Sequence, residues 1–135
     1  MRDRLLVYGA TGYTGGLLAA LAKERGLAPI VAGRSRAKVE AVAARFGVEA
    51  RIASVDEAGA LAELLRDVAC VISSAGPFSR TARQMFEACL ASGAHYLDVT
   101  GEIDVFALAA SFDARARQAG VMLLPGIGFD VVPSD

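Results

Sequence analysis

Short apolar runs alternate with longer stretches in which apolar side chains recur every three or four positions, and this continues along the whole chain. The short runs have the length and β-branched content of buried strands, and the longer ones have the period of helices packed on one face. Leu5-Leu6-Val7-Tyr8 predicts a first strand, followed by a helix over Thr14–Arg25 with Leu17, Leu18 and Leu21 turned inward. Pro29–Ala32 predicts a second strand. Ser35 then opens a helix that buries Val39, Val42, Ala43 and Phe46 and closes at Gly47. A weaker third strand runs from Val48 to Ala53, and Asp56 is placed to cap a helix that buries Leu61, Leu64 and Leu65. Val68–Ser73 is the fourth strand, and the helix after it carries Ala82, Met85, Phe86, Cys89 and Leu90 on one face. His95–Val99 is the fifth. Glu102–Gln118 predicts one long helix with Val105, Leu108, Ala109 and Phe112 inward, and Val121–Leu124 a sixth strand.

Strands that alternate with helices imply βαβ units with right-handed crossovers, hence an α/β fold: a doubly wound parallel sheet in a three-layer αβα arrangement. The expected strand order is 3-2-1-4-5-6. Residues 1–124 form this domain. Residues 125–135, from Pro125-Gly126 to Ser134-Asp135, belong to no further βα unit and read as a link into a C-terminal substrate domain.

Composition narrows the class of function. Charged residues make up 21% of the chain and the net charge is −1, which argues against a nucleic-acid partner. No apolar run approaches the roughly 20 residues of a membrane helix, and the start lacks the features of an export signal, so a cytoplasmic protein without a membrane partner is expected. Cys70 and Cys89 lie in apolar patterns without metal-ligand spacing, reading as buried free thiols, and no metal site is assigned.

The first loop carries the sharpest chemistry. Gly9-Ala10-Thr11-Gly12-Tyr13-Thr14-Gly15 is a G-x-x-G-x-x-G turn set directly between the first strand and the first helix. There Gly9 permits the tight turn, Gly12 lets backbone approach a pyrophosphate, and Gly15 allows helix and strand to pack closely. The helix start adds N–H groups and partial positive charge, with Thr11 and Thr14 as further hydroxyl donors. This is the phosphate loop of a Rossmann dinucleotide-binding domain. The end of the second strand, Gly33-Arg34-Ser35, lies about 20 residues further on, where an acidic residue would select the free ribose of NAD. Arg34 stands there instead and suits a 2′-phosphate, so NADP is expected over NAD. Arg36 and Lys38 are candidates to assist Arg34, although a solvated face suits both better.

At the end of the fourth strand, Ser74-Ala75-Gly76-Pro77 places small residues beside the glycine loop, where they leave room for the cofactor. Asp98, Thr100 and Glu102 fall at the end of the fifth strand and are candidates for the nicotinamide or substrate side, although a helix-capping role fits the last two equally. His95 lies at the opposite end of that strand and reads as a packed residue. None of Tyr8, Tyr13 and Tyr96 is followed four residues later by the lysine of a Tyr-x-x-x-Lys pair, so no catalytic residue is assigned.

Together with Ala32-Gly33-Arg34, Ala75-Gly76-Pro77-Phe78, Tyr96-Leu97-Asp98-Val99-Thr100-Gly101-Glu102 and the segment from Gly126 to Asp135, the glycine loop resembles the NADP-binding domain of saccharopine dehydrogenase-like proteins, including the trans-acting enoyl reductases. The resemblance spans nearly the whole chain. It implies a longer oxidoreductase in which this domain orients NADP(H) for hydride transfer, while an inserted α+β domain contacts an unsaturated or imine-like small-molecule substrate. Two other readings compete with it: a dinucleotide-binding regulatory module without chemistry, and self-association into a homo-oligomer through the apolar tail from Ile127 to Val132.

Overall fold

The computed structural model describes residues 2–128. Six strands, β1 (Arg4–Tyr8), β2 (Ile30–Gly33), β3 (Ala50–Ile52), β4 (Val68–Ser73), β5 (His95–Asp98) and β6 (Leu123–Leu124), form one sheet in the order β3-β2-β1-β4-β5-β6. Every pairing is parallel; Val7, for example, lies in register with Val31 on one side and Ile72 on the other. The topology is the expected one.

The two-residue period of the strands divides the core into two layers. Val7 and Val31 face α1 (Tyr13–Glu24) and α2 (Arg36–Phe46), whereas Leu6, Tyr8, Ile30 and Ala32 face the opposite layer. That second layer is built from α3 (Ala58–Leu64), α4 (Phe78–Ser92), α5 (Ile103–Ser111) and α6 (Asp113–Ala119). It holds the large side chains, including Leu61, Met85 and Phe86. The α1–α2 layer is thin and packs through Ala10, Ala19, Val39 and Ala43.

This asymmetry overturns the reading of α1. Leu17 and Leu21 are 54% and 46% exposed and Leu18 is half-buried, while Gly15, Ala19 and Ala22 face the sheet. A Cβ on Gly15 would sit 2.2 Å from the Gly9 carbonyl oxygen, so the helix lies against the β1 turn and only small residues fit its inner face. Leu17 and Leu21 are therefore displaced outward by a steric limit that hydrophobic periodicity does not register, while Leu18 packs against the edge of the core as expected.

The long helix expected over 102–118 is two helices joined at Phe112, which ends α5 and begins α6. No proline or glycine causes the break. Phe112 is buried edge-on against Phe86, with ring centroids 5.5 Å apart, and the guanidinium groups of Arg83 and Arg115 lie over its ring. Strands β3 and β6 are shorter than their apolar runs, and α3 starts at Ala58 after Glu57, so Asp56 is not its cap. The Asp56 N–H donates instead to Ser54 Oγ at 3.3 Å.

Candidate functional site

The glycine loop leaves β1 at the C-terminal edge of the sheet and delivers the chain into α1. Gly9 has φ +83°, and a Cβ there would approach the Ala75 backbone nitrogen to 2.8 Å. Gly9 and Gly15 are thus needed by the fold itself. Gly12 differs: its φ is −84°, and a Cβ would meet nothing closer than the Gly9 oxygen at 3.6 Å. The space above Gly12 is open, as a loop that admits a pyrophosphate requires. Gly12 also occupies the N-cap of α1, which has no side-chain cap and no acidic residue in its first turn, and Tyr13 and Thr14 are exposed beside it. The helix therefore opens onto this space with uncompensated N–H groups.

Next to the loop is a polar cleft of about 380 Å³. Gly9 and Thr11 form one wall, Gly33, Arg34 and Ser35 a second, and Ala75, Gly76 and Pro77 a third. Eight of the expected cofactor residues thus converge here, brought together because β2 and β4 flank β1. Ser35 is the N-cap residue of α2 but makes no side-chain cap bond, so this helix also begins bare. Arg34 is exposed beside it, and a 2′-phosphate at this point would meet a guanidinium and the start of a helix together.

The cleft also recruits Tyr8, Lys38, Ser54, Val55, Asp56, Arg80 and Thr81. Lys38 turns into it, whereas Arg36 turns away and pairs with Glu40 at 3.1 Å. The Tyr8 hydroxyl donates to the Ala53 carbonyl at 2.9 Å; burial raises its pKa, an effect that the nearby Arg34 charge opposes. Ser54 and Val55 follow the weakest strand signal in the chain, which is why the sequence does not single them out, and Asp56 is noted there only as a helix cap. Ser74, expected to touch cofactor, does not line the cleft: its hydroxyl is shared between the carbonyls of Tyr8 at 3.0 Å and Gly9 at 3.2 Å. It clamps the glycine loop to the end of β4. Thr81 braces the next turn by donating to the Ala75 carbonyl at 3.1 Å, just ahead of a cis Gly76–Pro77 bond.

Asp98, Thr100 and Glu102 lie outside the cleft and form a network of their own. Asp98 has no exposed surface; it accepts from the Tyr96 hydroxyl at 2.5 Å and from the N–H groups of Thr100 and Gly126, both at 2.9 Å. Burial and the Asp98 charge push the Tyr96 pKa up, so the phenol stays protonated and donates. The Glu102 carboxylate reaches back to the start of α4, where it accepts from the N–H groups of Phe78 at 2.7 Å and Ser79 at 3.2 Å. Asp98 and Thr100 are therefore buried within the protein, and the half-exposed Glu102 is engaged with the start of α4. His95 also has a structural role, its Nδ1 accepting from the Met122 N–H at 3.0 Å. Cys89 is buried and Cys70 only partly so; burial raises the pKa of both and disfavours their thiolate forms.

Glu102 supports a direct test. Burial raises its pKa, but donation from Phe78, Ser79 and Thr100 outweighs that and holds the carboxyl below its ordinary value. A depressed folded pKa contributes stability above the unfolded value near pH ~4.3, lost as pH falls through the folded value. Glu102→Ala is expected to lose about 1 kcal/mol as an uncapped helix. The difference in Tm from wild type, read from thermal melts, should be present at pH 7 and shrink towards pH 3.

A doubly wound sheet with a glycine loop, two uncapped helix starts and a basic residue after β2 defines a dinucleotide-binding domain. The sequence pattern of the saccharopine dehydrogenase NADP binding domain matches residues 5–124, and the chain belongs to that family. Its cofactor is accordingly NADP. The chain is 38% identical over 141 residues to Rv2449c of Mycobacterium tuberculosis and 33% identical over 141 residues to the trans-acting enoyl reductase of Mycobacterium leprae, covering 97% of this chain in each case. It spans 33% of the length of each of these relatives. In fold it is similar to saccharopine dehydrogenase from Saccharomyces cerevisiae, with a TM-score of 0.80 at 20% identity over 95% of this chain and 28% of the other. Triphenylmethane reductase of Citrobacter sp., solved with NADP(H), gives 0.67 at 20% identity over 86% and 46%. Among the described residues no helix is long and apolar enough to cross a membrane. The segment expected to mediate self-association, Ile127 to Val132, lies outside the described residues from position 129 onward.

Proposed function

We propose that this domain holds NADP(H) across the C-terminal edge of its sheet and orients it for hydride transfer to or from an unsaturated or imine-like substrate. The pyrophosphate lies over Gly12 at the start of α1, the 2′-phosphate on Arg34 at the start of α2, and the nicotinamide towards β5. One observation carries this reading. Of three helix starts gathered at the site, those of α1 and α2 have no side-chain cap, while that of α4 is already filled by the Glu102 carboxylate. Two anion sites remain, one for the pyrophosphate and one for the 2′-phosphate of NADP.

When bound, the cofactor supplies the hydride chemistry. This chain supplies position and charge complementarity, and a further domain supplies the substrate contacts. The Asp98–Tyr96 pair and the Ser74 clamp keep the loops around the cofactor in place.

Calorimetric titration with NADPH and NADH, on wild type and Arg34→Ala, tests the assignment. A charge-assisted hydrogen bond contributes roughly 1.5 to 3 kcal/mol, so Arg34→Ala should weaken NADPH binding about tenfold to a hundredfold and barely change NADH. Equal losses for both cofactors would move the 2′-phosphate elsewhere.

A further inference from the structure

Arg80 is not signalled by any motif in the sequence. It stands in the first turn of α4, three residues after Pro77, and lines the same cleft as Arg34. The two arrive from different sides, because β2 and β4 flank β1 and each is followed by a loop that turns over its end. We infer that the Arg80 guanidinium stacks on the adenine ring of the bound dinucleotide. This inference rests on the cofactor placement proposed above.

Three observations converge on it. The first is placement. With the pyrophosphate at α1 and the ribose at the end of β2, the base continues into the part of the cleft bounded by Val55, Asp56 and the start of α4.

The second is the state of the side chain. Most arginines of this domain already have partners: Arg36 pairs with Glu40, Arg51 with Glu49 and Arg117 with Asp113, while Arg83 lies over Phe112. Among the described residues, Arg80 makes no side-chain hydrogen bond, ion pair or aromatic contact. Its backbone is nonetheless held, since its N–H donates to the Pro77 carbonyl at 3.1 Å and the adjacent Thr81 braces the turn. A fixed Cα with an unengaged planar cation suits a residue that closes on a ligand.

The third is that, among the described residues, the cleft wall offers no free aromatic platform, and Arg34 is committed to the 2′-phosphate. Tyr8 is the aromatic residue of the cleft wall, and it is buried with its hydroxyl tied to the Ala53 carbonyl. A flat base entering here meets planar guanidinium rather than an aromatic face. Stacking of this kind depends on the plane of the group as well as its charge, which separates arginine from lysine.

The experiment is a titration of wild type, Arg80→Ala, Arg80→Lys and Arg34→Ala with NADPH and with NADH. Arg80→Ala is expected to weaken both cofactors by the same factor, about fivefold. Arg80→Lys should behave like Arg80→Ala, because lysine keeps the charge and loses the plane. Wild-type affinity in Arg80→Lys, a loss confined to NADPH, or no loss in Arg80→Ala would each overturn the inference. If wild type bound neither cofactor, the cofactor placement itself would fail. Normal wild-type binding with an NADPH-selective defect in Arg34→Ala alone would leave that placement standing and remove only Arg80.

Discussion

Gly12→Val is expected to fold, to melt within a few degrees of wild type, and to bind neither NADPH nor NADH. The backbone at Gly12 has φ −84°, open to any L residue, and a Cβ there touches only the Gly9 oxygen at an ordinary 3.6 Å. Loss of glycine at the N-cap of α1 costs up to about 1 kcal/mol, which is a few degrees for a domain of this size. The two valine methyl groups, however, occupy the space over the helix start where the pyrophosphate must come into hydrogen-bonding range. Gly15→Ala provides the contrast. Its Cβ would fall 2.2 Å from the Gly9 oxygen and 2.7 Å from Ser74 Oγ, so that variant should lose stability first and binding only in consequence. Melting curves and calorimetry on the pair separate the ligand's glycine from the fold's glycine. Wild-type affinity in Gly12→Val would place the phosphates elsewhere.

Asp98→Ala should be strongly destabilising, by about 3 kcal/mol or more in denaturant unfolding. The substitution strands a buried phenol and two backbone N–H groups that the carboxylate now accepts from. It also loosens the crossing of the chain after β6, where the Ile127 N–H donates to the Asp98 carbonyl at 2.9 Å and a Cβ on Gly128 would press on Val99 at 2.9 Å. Asp98→Asn should lose much less, because the amide oxygen can keep both N–H bonds while its NH₂ donates to the Tyr96 oxygen. If Asp98→Ala unfolded at the wild-type denaturant midpoint, the network would be incidental to the fold.

Both predictions concern residues visible in the sequence, and they illustrate two kinds of legibility. Gly12 is readable because its role follows from local geometry, a turn between a strand and a helix with fixed spacing. Asp98 is readable only as a polar residue at the end of a strand. Whether it faces solvent, substrate or protein depends on Gly126, 28 residues later, and on the alternation that turns Tyr96 to the same side. The same holds for Glu102, whose carboxylate proves to cap a helix that begins 24 residues earlier.

The alternation of apolar periods, the glycine spacing and the basic residue after the second strand were enough to determine the βα order, the sheet topology and the class of cofactor. Each of these follows from backbone conformation and from chirality, which local sequence encodes. Tertiary structure alone decided which face of α1 is buried, where helix 102–118 breaks, and which side chains line the cleft. The outward turn of Leu17, the recruitment of Lys38 and Arg80, and the withdrawal of Ser74 and Asp98 are set by close approach of segments distant in the chain. Volume limits and hydrogen-bond partners at those approaches exist only once the sheet has brought the loops after β1, β2, β3 and β4 together.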